Sequence, residues 1–71
     1  MTYKIFDIQR GCYFANGEEF NTLKKVAEQL IDFHSIDCDM KAEKKLLKEG
    51  KIKECIDELE MFEWEIQEVE K

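Results

Sequence analysis

The sequence predicts an α+β domain in which a small N-terminal antiparallel β-hairpin of two or three short strands packs on three α-helices, the last long and acidic. Three observations carry this reading. β-Branched and aromatic residues concentrate before residue 21. Beyond it, apolar residues recur at helical spacing. Finally, residues 51–71 thread the repeat Ile52, Cys55, Leu59, Phe62, Ile66 and Val69 through eight carboxylates. With 71 residues, no proline and no linker, one domain over 1–71 is expected, small enough to bury only about 60% of its unfolded surface.

Within the hairpin region 3–20, Tyr3-Lys4-Ile5-Phe6-Asp7-Ile8 reads as a strand. Gln9-Arg10-Gly11 punctuates it, and Cys12-Tyr13-Phe14 forms the return. Asn16-Gly17 is a turn dipeptide because both residues tolerate positive φ, leaving 18–20 for a brief third strand. Asn21 is the expected N-cap of helix 22–34, whose apolar face is Leu23, Val26, Ala27, Leu30, Ile31 and His34. Capping residues at 35, 37 and 39 precede a short lysine-rich helix, 39–49, which Gly50 ends.

The last helix is expected over 51–70, about 30 Å long. Glu54, Asp57, Glu58, Glu60, Glu63, Glu65, Glu68 and Glu70 outweigh Lys51, Lys53 and Lys71, so this segment carries −5 of the net −6. Self-pairing as a coiled coil would set Glu58 against Glu63′ and Glu65 against Glu70′, which disfavours it. An intramolecular helical hairpin with the lysines of the preceding helix is the simpler arrangement. Met61 and Trp64 lie off the apolar seam. Either Trp64 is an exposed interface anchor among carboxylates, or it covers the hairpin with Phe6 or Tyr13 beneath it.

Composition narrows the function classes. Net charge −6 weighs against direct nucleic-acid binding and favours a partner with a basic surface. Three widely spaced cysteines without a CxxC pair suit reduced thiols rather than a disulfide framework. With neither a signal-like start nor a long apolar run, a cytoplasmic protein without membrane association is expected. His34 and Cys38 have H-x3-C spacing, and Cys12 and Cys55 could complete a four-ligand zinc set. Whether the four converge stays open, since two come from distant elements. His34 beside Cys38 with Asp32, Asp37 or Asp39 supplies residue types for a nucleophile and base but no signature. Glycine-rich phosphate loops, HExxH and GxSxG are lacking, so no catalysis and no cofactor are expected.

The order Tyr3-Lys4-Ile5-Phe6-Asp7, Tyr13-Phe14-Ala15-Asn16-Gly17-Glu18-Glu19-Phe20-Asn21-Thr22-Leu23 and Leu30-Ile31-Asp32-Phe33-His34-Ser35-Ile36-Asp37 resembles short phage and prophage proteins of low-GC Gram-positive bacteria. The likeness covers about the first half of the chain and carries no catalytic motif. It implies an intracellular accessory protein acting in the host cytoplasm. Such viral regions encode inhibitors of host defence nucleases, anti-CRISPR proteins among them. The expected function is therefore a non-catalytic acidic inhibitor, with Asp57, Glu60, Met61, Glu63, Trp64 and Glu68 imitating a phosphate backbone toward a basic groove. The alternative is an assembly protein, monomer or weak homodimer, that pairs with itself or a partner helix through the Trp64 face.

Overall fold

A computed structural model describes residues 1–70 and shows an α+β arrangement. Its elements are β1 (Thr2–Asp7), β2 (Cys12–Tyr13), α1 (Leu23–His34), α2 (Lys41–Lys48), α3 (Ile52–Glu60) and β3 (Trp64–Val69). The sheet order is β2-β1-β3, with both pairings antiparallel. Strands therefore come from both ends of the chain, not from the N-terminus alone.

The β1–β2 hairpin is short, pairing Phe6 with Tyr13 and Asp7 with Cys12. Residues 18–20 make no third strand; Phe20 contributes one bridge to Tyr3, with both backbone bonds formed at 2.7 and 2.8 Å. The intervening turn Phe14–Gly17 holds Ala15 and Asn16 in the left-handed region at φ 52° and 58° before Gly17 at φ 82°.

In α1 the cap is Thr22, one residue beyond the expected Asn21. Its hydroxyl accepts from the Lys25 backbone N–H at 3.1 Å, satisfying one of the orphan donors of the first turn. Val26, Ala27, Leu30 and Ile31 turn inward, as their spacing requires. α2 is shorter than 39–49; its N-cap position is the buried Met40, and Asp39 just ahead of it accepts from the Lys41 backbone N–H through Oδ1. Gly50, at φ 79°, lets the Lys51 N–H return to the Leu46 carbonyl at 2.9 Å and closes the helix.

The expected long acidic helix over 51–70 is overturned. α3 stops at Glu60, Met61–Glu63 form a tight turn with three-residue backbone bonds, and β3 follows. The physical reason lies in β1. Two residues of β2 and one bridge from Phe20 leave the other side of a six-residue strand unpaired, and β3 satisfies it along its whole length, from Thr2–Val69 to Asp7–Trp64. The inner face of the sheet contributes Ile5, Trp64 and Ile66, which meet α1 and α3 through Val26, Ala27, Leu30, Ile31, Cys55, Ile56 and Leu59. Each fully buried Val, Leu or Ile of this set contributes about 1.5–3 kcal/mol, and the half-buried Ile66 less.

Candidate interaction surface

The C-terminal half of α3, the 61–63 turn and β3 carry every residue expected to meet a partner. Asp57 and Glu60 lie on the exposed side of α3, Met61 and Glu63 in the turn, and Glu68 on β3. The structure brings Asp57, Glu60, Met61 and Glu63 to one corner; Glu68 sits four residues into the strand. They do not form a straight helical rod, so the regular charge spacing expected of one long helix is absent.

Trp64 is not an exposed anchor. Only 5% of its surface is accessible, because on a strand its side chain faces the core. Nor do Phe6 or Tyr13 lie beneath it. They pair with each other on the opposite face of the sheet, with ring centroids 5.1 Å apart. Trp64 instead meets Phe14 and Phe33 edge-to-face, each at 5.6 Å, and its indole N–H donates to His34 Nε2 at 2.8 Å. An indole N–H can only donate, so Nε2 is the unprotonated nitrogen of that ring. His34 also lies against Phe62, at 4.5 Å between ring centroids. The α3–β3 turn is thereby clamped to the end of α1.

This clamp sets what reaches the surface. Met61 is 79% exposed and Phe62 39%, with Phe33 at 41% on the neighbouring end of α1. Sequence reasoning missed Phe33 and Phe62 as surface residues; the alternation of Phe62, Trp64 and Ile66 signals a strand and an inward Trp64, and no local pattern marks Phe33 or Phe62 as exposed. Exposed carboxylates adjoin Met61 and Phe62: Asp57 and Glu60 on the end of α3 and Glu63 in the turn. Although Glu60 is exposed, partial desolvation at the helix end raises its carboxyl above the usual carboxylate range, and the neighbouring charges of Asp57 and Glu65 push it further the same way. Among the described residues the ion pairs are Arg10–Asp7 and Lys51–Glu49, so none of these carboxylates is neutralised by one.

The four residues considered for zinc do not assemble. His34 Nε2 is occupied by Trp64, Cys55 is buried with its thiol 3.4 Å from the Glu43 carbonyl, and Cys12 and Cys38 are exposed. Burial, and secondarily the Glu43 charge, pushes the Cys55 thiol up, which keeps it unreactive. Among the described residues no three His, Cys, Asp or Glu side chains gather as a metal site, no cavity is found, and no helix is long and apolar enough to cross a membrane. No protein-family model, characterised protein or solved structure matches this chain.

Proposed function

We propose that this protein is a non-catalytic binding protein that docks its acidic α3–β3 corner on a basic surface of a partner protein. The observation that supports it is the composition of the corner: two exposed apolar side chains, Met61 and Phe62, bordered by Asp57, Glu60, Glu63 and Glu65. An apolar centre with a charged rim is the usual anatomy of a protein interface, and unneutralised carboxylates draw a basic partner by long-range attraction. The partner class with the densest basic surface is a nucleic-acid-handling enzyme. The likeness of the first half of the chain to phage and prophage proteins supports an inhibitor of a host enzyme, of the anti-CRISPR or other anti-defence kind, working in the host cytoplasm without binding nucleic acid itself. The assembly reading requires an exposed Trp64, and the indole is buried.

The test is capture of the partner from a host lysate on the intact protein, followed by measurement of the isolated pair. Affinity should fall steeply as salt rises, nucleic acid should compete, and both Met61→Asp and the triple change Asp57→Asn, Glu60→Gln, Glu63→Gln should weaken binding. An affinity indifferent to salt and to these changes would exclude the corner as the docking site.

A further inference from the structure

β3 is an edge strand, and the register shows which of its backbone groups face outward. The Ile8 N–H donates to the Glu63 carbonyl at 3.2 Å, which places this pair in the hydrogen-bonded phase of the ladder, although the Glu63 N–H itself turns back to the Glu60 carbonyl. Alternation then gives Phe6–Glu65, Lys4–Gln67 and Thr2–Val69 the same character. Tyr3 agrees, since its N–H and C=O turn the other way, to Phe20. The backbone N–H and C=O of Trp64, Ile66 and Glu68 therefore point away from β1. The sheet ends there, and among the described residues no strand or loop bonds to those groups.

From this edge we infer that β3 accepts an extended segment of a partner protein as an added antiparallel strand, with basic residues placed opposite its carboxylates. Strand addition satisfies the three outward donor–acceptor pairs, and the flanking side chains define the sequence it selects. Glu68 and Glu65 lie three positions apart on opposite faces, with Ile66, half-buried and resting on the core, between them. An antiparallel guest thus reads, from its N-terminus, basic residue, any residue, aliphatic residue, basic residue. The cation opposite Glu65 also feels Glu60, whose charge interacts with Glu65 and Asp57. A second copy of this chain is the poorer guest. It would bring the same carboxylates to both sides of one junction between molecules of net charge −6. This inference rests on the proposed preference for a basic partner and adds the element that receives it.

The probe is the synthetic peptide Lys-Thr-Lys-Thr-Val-Lys-Thr, beside the same peptide N-methylated at the amides that would face β3. Amide hydrogen exchange followed by NMR reads the outcome. The unmodified peptide should slow exchange at Trp64, Ile66 and Glu68 about tenfold or more, while Glu65, Gln67 and Val69, already bonded to β1, change little; methylation should weaken binding about tenfold or more. Glu68→Pro removes one outward N–H without touching the β1 ladder and should abolish that protection, whereas Glu68→Gln should retain the alternating pattern at lower affinity. Equal binding of both peptides with no alternating protection would overturn strand addition and leave charge-driven docking at the corner standing. Protection that grows with protein concentration alone would overturn the choice of guest in favour of a second copy. Failure of both peptides to bind would overturn the added strand, while the corner is judged separately by its Met61 and triple-carboxylate variants.

Discussion

Trp64 and His34 form the contact that ties the last strand to the first helix. The indole contributes ring contacts to Phe14 and Phe33 and one hydrogen bond to His34. Trp64→Phe keeps an aromatic ring and loses the donor, so a decrease in stability of about 1 kcal/mol is expected; Trp64→Ala empties the site and should lower stability by about 3–5 kcal/mol. Denaturant unfolding followed by circular dichroism measures both. Glu60 has the opposite sign. Its carboxyl is held above the usual range by partial desolvation and by Asp57 and Glu65, so the folded state binds its proton more tightly than the unfolded chain does. The stability linked to that proton is complete below the unfolded carboxyl pKa and is lost as pH rises through the folded one. Glu60→Gln should therefore raise the unfolding midpoint at neutral pH, with the gain vanishing on acidification. A loss of stability at pH 7 would mean that the carboxylate makes a favourable contact instead.

At the scale of elements, the α3–β3 turn is where helix gives way to strand. Glu63 sits at φ 68°, a left-handed conformation that an L side chain adopts at a disadvantage of about 1–2 kcal/mol and glycine does not. Glu63→Gly should stabilise the fold by a few tenths to about 1 kcal/mol, glycine's greater unfolded-state freedom offsetting part of the relief. Glu63→Val should destabilise it, and the pair of unfolding curves tests the turn directly. A glutamate here gives no warning of a helix end in the sequence, unlike Gly50 after α2. The residues beyond it were ambiguous for a definite reason. Phe62, Ile66 and Val69 fit a helical repeat, while Phe62, Trp64 and Ile66 fit a strand, and only the second pattern explains why Trp64 should be apolar at all. α1 had no such ambiguity, since Val26, Ala27, Leu30 and Ile31 satisfy one period alone.

For the whole molecule, the two chain ends depend on each other. Without β3, β1 keeps only its short pairing with β2 and the Phe20 bridge, and the core loses Trp64 and Ile66. A chain ending at Glu63 should therefore lack a cooperative thermal transition, which calorimetry would show; a sharp transition in that fragment would mean that the helices and hairpin suffice. Composition and local pattern alone specified the α+β class, the first hairpin, the buried face of α1, the helix stop at Gly50 and the concentration of negative charge after residue 51. These follow from local conformational preference, short-range periodicity and composition. Long-range packing was needed to fix that the chain becomes a strand after Glu63, that Trp64 turns inward and Met61 outward, and that β3 presents an open edge. A segment compatible with two periods takes the one that satisfies unpaired backbone elsewhere, and the unpaired side of β1 lies about sixty residues away along the chain.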